Sequence, residues 1–369
     1  MSEIDRNPHI DLTICANIKF PGEFSLIKPT ETSFRLINRK TYIVPLPFIK
    51  ARFYLQPEAI WSMLVRKYDV FVMSNRMTEL TAWINLGLGR LLGRRVCLWG
   101  HGFSKRDGQW KTKLRKLMMC LAHVNILYSQ SGRDKALEMG LPPEKLFIAY
   151  NALDTRQSKA IRDGILTEDL ELFGKENNLV EKKIVLFSGR LQQRKKPEIL
   201  VQAMQKIIYH VPNAVAIIVG DGEMREELER LIKDLKLGNC VRLIGAVYDE
   251  EIMARYLLWS SVAVMPAHAG LAIQHAFDYG VPIVVGDNME EHPPEIELVK
   301  NGETGIFCKD GDVDEFSEAI LRLLTNGKGH QRMSINCRKL IEEKYNVENM
   351  AKGIMDALKY AYRVTFNGP

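Results

Sequence analysis

The chain has 369 residues, 46% of them hydrophobic, enough to bury the cores of two domains of ordinary size. It contains no apolar run of the ~18 residues a membrane span needs, its start MSEIDRNPHIDL has neither an apolar core nor a cleavage-like site, and its six cysteines (15, 97, 120, 240, 308 and 337) show no CxxC or metal spacing. Disulfide and zinc scaffolds therefore fall away, and a cytoplasmic protein is expected, at most peripheral on the inner face of a membrane.

The net charge of +6 hides an asymmetry: residues 1–150 hold 23 Lys/Arg against 12 Asp/Glu, an excess of +11, while the remainder holds 28 against 33, or −5. A basic half joined to a mildly acidic half predicts an anionic partner for one face. The alternative is a chance spread of solvated surface charge.

In chain order, the first half offers the strand candidates IDLTICANI, TYIVPL, VFVMS, VCLWG, VNILYS and LFIAY, with helical periodicity near 77–92, 109–122 and 132–139. The segment from about 152 to 182 has many charges and few large apolar residues, which marks it as the domain linker. From residue 184 the alternation is regular: KIVLFSG, KPEILVQAMQKIIYHV, AVAIIVGDG, MREELERLIKDLKL, CVRLIGAV, DEEIMARYLLWS. It continues through SVAVMP, a helix near 271–279, PIVVGD, PPEIELVKN, TGIFCKDGD and VDEFSEAILRLLTN, and a last helix, NMAKGIMDALKYAYRV, follows. Strands alternating with helices indicate βαβ units and a parallel sheet covered on both faces. The expected organisation is an N-terminal Rossmann-like domain over 1–172, a second doubly wound domain over 173–344, and a helix over 345–369 that packs back toward the first domain. Two such α/β domains would face each other across a cleft, with ligands at the C-terminal ends of the strands.

Three motifs sit at those strand ends. In SGRLQQRKKPEIL, Gly189 closes a strand, Arg190 stands at its tip and Lys195 lies near the next helix, so a planar fork of donors and a compact charge can hold a diphosphate. Arg194 and Lys196 read as a solvated basic turn. In IVGDGEMREEL, Gly220, Asp221 and Gly222 permit a tight turn, and Asp221 is placed to cap the following helix. The glycines of a dinucleotide fingerprint and the GxxxxGK[ST] of a P-loop are missing, which argues against an oxidoreductase and against a P-loop NTPase. In VCLWGHGFSKR, His101 is flanked by Gly100 and Gly102, where a ligand can come close and an imidazole can donate to a sugar hydroxyl or phosphate; a satisfied structural His is the alternative. His123, inside a helical pattern, reads as structural.

The order GRLQQRKK, VGDGEMREEL and MPAHAGLAIQHAFDYGVPIV, followed by EIELVKNGETGIFCKDGD, resembles the C-terminal domain of GT-B fold, family-4 type retaining glycosyltransferases over about residues 184–325. The resemblance implies two Rossmann-like domains, a nucleoside-diphosphate-sugar donor, no further cofactor and no metal site. It places Arg190 and Lys195 on the donor diphosphate, with His101 facing the donor sugar as a third catalytic group. Gly189, Gly222 and the loop Ala267, His268, Ala269, Gly270 and Leu271 fall at the donor, the loop presenting backbone amides to phosphate and sugar. Asn151 and Asp154 would lie between the domains.

Two departures stand out. The family's Glu-x7-Glu pair aligns with Ala267 and His275, so both acids are gone. His275 is then expected to contact the ribose as a neutral group that accepts one hydroxyl hydrogen bond and donates another, although an ordinary helix residue fits there too. The chain is closer to a bacterial subset with a PG..GL....HA..YG pattern. At the start, ICANIKFPGEFSL lacks the family's Gly-Gly turn, and the family's first strand and helix are unaccounted for. The basic stretch KRDGQWKTKLRK (105–116) leads a helix with Trp110, Leu114, Leu117, Met118 and Leu121 on one stripe, suited either to anionic lipid or to the protein's own sheet. Nucleic acid is not expected, because no recognition motif accompanies the charge. The expected partners are a nucleotide-sugar donor, a saccharide or lipid-linked saccharide acceptor in surface polysaccharide assembly, and an anionic membrane. The rival readings are a non-catalytic nucleotide-sugar-binding partner and a GT-B nucleotide-sugar epimerase, whose acidic catalytic set is not found.

Overall fold

A computed structural model of the chain describes residues 1–17, 34–45, 51–65, 67–103 and 107–363, and the structural statements below concern those residues. The stretch ICANIKFPGEFSL, read as lacking the family's Gly-Gly turn, lies largely outside them, and the cations Lys105 and Arg106 lie wholly outside. The chain divides into two compact units, Met1–Asn151 with Val347–Pro369, and Ala152–Asn346.

The first unit opens with α1 (Ser2–Asp5), β1 (Thr13–Ala16), β2 (Arg35–Asn38), β3 (Tyr42–Pro45) and β4 (Arg52–Leu55). β1 and β2 pair in parallel, while β3 and β4 form an antiparallel pair that the sequence reading did not foresee. Then come α2 (Pro57–Leu64), β5 (Val70–Ser74), α3 (Leu80–Leu91), β6 (Arg95–Gly100), α4 (Gln109–Leu121), β7 (Val124–Leu127), α5 (Gln130–Glu138) and β8 (Leu146–Ile148). β5, β6, β7 and β8 lie in that order in one parallel sheet. Strand alternation serves two cores: Val96 and Leu98 join Leu86 and Met118 on one face, and Cys97 joins Val124 and Ile126 on the other. His123 braces this sheet, its Nδ1 accepting from the Val96 amide at 3.2 Å, and burial pushes its imidazole down to about 4.

The second unit contains α6 (Thr155–Gly164), α7 (Thr167–Glu176), β9 (Lys183–Ser188), α8 (Glu198–His210), β10 (Ala214–Val219), α9 (Arg225–Asp234) and β11 (Val241–Gly245). It goes on through α10 (Glu250–Trp259), β12 (Ser260–Met265), α11 (Leu271–Asp278), β13 (Ile283–Gly286), β14 (Gly305–Cys308), α12 (Val313–Thr325) and α13 (Gly327–Glu343). Its six strands are all parallel in the order β11-β10-β9-β12-β13-β14. Strands are laid outward on one side of β9 and then on the other, so the chain reverses direction across the sheet between β9 and β12. Asp249 and Asp312 start α10 and α12 by accepting from the amides of their first turns.

The units divide at Asn151/Ala152 and Asn346/Val347, not at 172/173 and 344/345. The charged segment taken for a linker is two helices, and its polar groups fasten it to the second unit. Leu153 N donates to Gln274 Oε1 at 3.1 Å, Ser158 donates to the Asp278 carboxylate, Arg162 donates to the Asp278 carbonyl at 2.6 Å, and Trp259 Nε1 donates to Leu170 O at 3.0 Å. The last helix, α14 (Val347–Arg363), buries Ile354 and Ala357 with Cys97 and Ile126 in the first unit.

Candidate functional site

Where a doubly wound sheet reverses, the loops leaving the two central strands part to opposite faces and open a crevice at their C-terminal ends. Here those are the loop after β9 and the loop after β12, which carry RLQQRKK and PAHAG.

The first loop is shaped by its neighbour after β10. Leu191 N donates to Asp221 O at 2.9 Å and Met224 N donates to Leu191 O at 3.1 Å, so the two backbones run in contact. Gly220 (φ +150°) and Gly222 (φ +154°) make that approach feasible: a Cβ on Gly220 would overlap the Gly189 carbonyl, and one on Gly222 would lie 2.5 Å from Leu191 O. Gly222 is thus explained by packing against this loop. Asp221 does not cap α9; its Oδ1 accepts from the Gly222 amide at 2.8 Å, and Met224 holds the N-cap position.

The loop then tightens into a 3₁₀ turn, Gln193–Lys195, ended by Lys196 in the left-handed region (φ +52°). This turn aims its cations at the second loop. Lys195 Nζ donates to His268 O at 3.3 Å, and Arg194 lies with a guanidinium nitrogen 3.2 Å from His268 Nε2. Burial, with the Arg194 charge beside it, pulls the Lys195 ammonium below its ordinary value. Lys196 binds both Asp310 carboxylate oxygens at 2.7 Å and approaches Glu291 at 3.6 Å. Burial works against that ammonium, but the Asp310 and Glu291 carboxylates outweigh it and raise its pKa. Arg194 is exposed as expected, with His268 beside it, whereas Lys196, expected to be solvated, is half-buried and ion-paired. Arg190 stands exposed two residues after β9.

In the second loop Ala267 and Ala269 are buried, and His268 between them takes a left-handed φ of +49°, sparsely populated for a residue with a Cβ. The loop is held from behind by the chain after β13. Gly286 N donates to Pro266 O at 3.0 Å, Ala269 N donates to His292 Nδ1 at 3.1 Å, and His292 Nε2 lies 3.0 Å from Gly286 O. Because Nδ1 accepts, the ring proton is on Nε2 and is donated to Gly286. The Ala269 amide, one of those expected to face phosphate, is therefore already bonded. Gly270 holds the N-cap position of α11 and, having no side chain, makes no cap hydrogen bond there; the helix start carries the positive end of the helix dipole. Glu295, buried in the 3₁₀ turn Pro294–Leu298, brings a carboxylate to 4.0 Å from where a Cβ on Gly270 would stand.

The structure thus brings Gly189, Lys195 and the loop through Ala267, His268, Ala269, Gly270 and Leu271 together at the reversal. His275 is on α11, its Nε2 3.6 Å from Glu250 and its ring edge-on to Tyr279 at 5.7 Å. Burial lowers its pKa despite the opposing charges of Glu250 and Asp278, so the ring is neutral at pH 7. In the first unit, His101 is exposed and stacks edge-on with Tyr128 at 4.8 Å. Its flanking glycines have packing reasons: a Cβ on Gly100 would lie 2.9 Å from Asn75 Cβ, and Gly102 has φ +74°. Asp154 starts α6, accepting from Arg156 N at 3.2 Å and pairing with the Arg156 guanidinium at 3.1 Å. In the basic helix α4, Met118 and Met119 are buried while Trp110 and Leu117 are exposed, so the expected apolar stripe is covered only in part. Arg115 is tied to Asp107 at 2.7 Å and to the Asn75 carbonyl at 3.2 Å. Sequence reasoning missed Arg194, Lys196, His292 and Glu295 as parts of the site region.

Residues 169–340 match the family described as "Glycosyl transferases group 1". The UDP-Gal:alpha-D-GlcNAc-diphosphoundecaprenol alpha-1,3-galactosyltransferase of Escherichia coli is 29% identical over 248 residues, 64% of this chain and 60% of that protein. An uncharacterised glycosyltransferase of Methanocaldococcus jannaschii is 29% identical over 184 residues, 49% of this chain and 46% of that one. The match thus spans roughly half the length of these relatives. In fold, the chain is similar to Anabaena HepE solved in complex with UDP, with a TM-score of 0.69 at 18% identity over 82% of each chain. Residues 169–340, which carry both loops at the sheet reversal, thus match the model of the glycosyl transferases group 1 family, and the chain has the two Rossmann-like units of the GT-B fold.

Proposed function

We propose that this chain is a glycosyltransferase that moves a hexose-type sugar from a nucleoside-diphosphate-sugar donor to an acceptor. The observation that carries the reading is the convergence, at the sheet reversal, of Lys195, Arg194 and the start of α11 at Gly270. Departure of a nucleoside diphosphate develops negative charge, and fixed cations with a helix N-terminus stabilise such charge in the transition state. Arg190 and Lys195 are the groups assigned to the diphosphate, His101 to the donor sugar and His275 to the ribose, and the reaction needs no divalent cation in this scheme. The UDP bound by HepE and the UDP-galactose donor in the name of the E. coli relative support a nucleotide-sugar donor. That relative's diphosphoundecaprenol-linked acceptor, together with the +11 excess of residues 1–150, supports a lipid-linked saccharide acceptor at an anionic membrane in surface polysaccharide assembly.

A second reading, a nucleotide-sugar binder without transfer activity, is favoured by one observation: Ala267 and His275 stand where the family has acids. Incubating the purified chain with UDP- and GDP-sugars and candidate acceptors separates the two. Acceptor-dependent release of nucleoside diphosphate supports the enzyme, tight binding with no release under any acceptor supports the binder, and no binding of either nucleotide overturns both.

A further inference from the structure

We propose that His292 is a positioning residue for donor binding: its neutral ring, protonated on Nε2, fixes the loop Ala267–Gly270 by tying the Ala269 amide to the end of β13. The inference rests on the donor reading above for the loop's purpose, but its geometry stands independently. Three bonds define the loop: Gly286 N to Pro266 O, Lys195 Nζ to His268 O, and Ala269 N to His292 Nδ1. His268 sits between the last two with its left-handed backbone, a conformation that persists only where the surroundings over-determine it. Ala269 is wholly buried, and its amide donates to a protein acceptor, the His292 ring. His292 itself is fixed by its second bond to Gly286 O at 3.0 Å.

This arrangement works in one protonation state. A second proton would go on Nδ1 and set an N–H against the Ala269 N–H, two donors with no acceptor. The titratable groups around the ring are His268 on the loop, Asp310 after β14 and Glu291 on its own segment, and Lys196 pairs with both of those acids. Burial lowers the His292 pKa most and the neighbouring His268 adds to it, while the Gly286 hydrogen bond, Asp310 and Glu291 oppose. The folded pKa is therefore depressed: the anchor is intact at neutral pH and is lost only as pH falls through that depressed value, below the ordinary value of about 6.5.

The test uses the full chain with UDP and GDP as probes. His292→Ala should bind UDP about fivefold more weakly or worse, as for one lost hydrogen bond. His292→Asn, whose amide oxygen can take the Nδ1 position and accept from Ala269, should return to within about twofold of wild type on the same grounds. Wild-type affinity should fall only as pH drops through the depressed His292 value, below the ordinary value of about 6.5, and the Asn variant should lose that acid limb. Ring 15N spectra should show the Nε2–H tautomer at pH 7. His292→Ala binding UDP as wild type does, or an acid limb unchanged in His292→Asn, overturns the proposal. If wild type binds neither nucleotide, the donor reading has failed, and hydrogen exchange at the Ala269 amide then decides positioning alone: faster exchange in the variants supports it, and an unchanged rate refutes it. Should the Ala variant not fold, the Asn variant and the ring spectra give the same decision.

Discussion

Replacing Lys195 by Met removes one charge from the crevice while keeping the length and apolar bulk of the side chain. In the unliganded protein this cation makes one long hydrogen bond, 3.3 Å to His268 O, in a place where burial and Arg194 already disfavour the ammonium. The lost bond costs about 0.5–1 kcal/mol, and relief of the buried charge offsets part of it, so the melting temperature should stay within about 2–4 °C of wild type. With a diphosphate bound the balance differs. A unit charge pair at ~4 Å and an effective dielectric of ~20 is worth about 4 kcal/mol before desolvation, and measured charge-assisted contacts retain about 1.5–3 kcal/mol. That corresponds to a loss of about 12- to 160-fold in affinity. Titration calorimetry with UDP and GDP on Lys195→Met and Arg190→Ala gives the result. Unchanged affinity in both variants would refute the diphosphate assignment; a large drop in melting temperature with normal affinity would make Lys195 a structural residue.

Other outcomes follow from the same structure. His275→Ala should weaken ribonucleoside diphosphate binding by about 1–2 kcal/mol and His275→Glu should retain most of it, whereas discrimination against 2′,3′-dideoxyribonucleoside diphosphate that survives in His275→Ala would clear His275 of the ribose. Charge reversal at Lys111 and Lys113 should reduce binding to anionic vesicles at low salt by about 1 kcal/mol per cation; Arg115 is left out because Asp107 holds it, and wild type ignoring such vesicles sinks the membrane reading. His123 has a folded pKa depressed to about 4, so the unfolded chain takes up the proton first and stability is lost as pH falls from the ordinary 6.5 toward 4. Thermal melts across that range should show the decline and show it reduced in His123→Asn, which keeps an acceptor for the Val96 amide; parallel declines in both proteins would contradict it.

From residue 184 to 325 the second unit was legible because each strand is a short apolar run and the helices between them keep a 3.6-residue period. The first unit was less so. β2, β4 and α2 gave no clear signal, although β3 was foreseen in TYIVPL, and α13, in the second unit, escaped as well. The segment 152–182 misled because its helices bind through backbone carbonyls and through Asp278, whose burial raises its carboxyl pKa against the Ser158 and Arg162 contacts. In the site, Lys195 could be placed beside the strand end because it shares one short loop with it. Lys196 could not, since its partner Asp310 is 114 residues away. His292 was hidden for a related reason: it bonds a main-chain amide 23 residues distant, and a backbone amide leaves no trace in residue type.

Hydrogen exchange on the full chain, with and without saturating UDP or GDP, tests the central claim most directly, that a nucleoside diphosphate sits at the reversal between β9 and β12. The account predicts protection concentrated in residues 189–196 and 267–275. Protection confined to other segments, with those two loops exchanging as in the free protein, would contradict it.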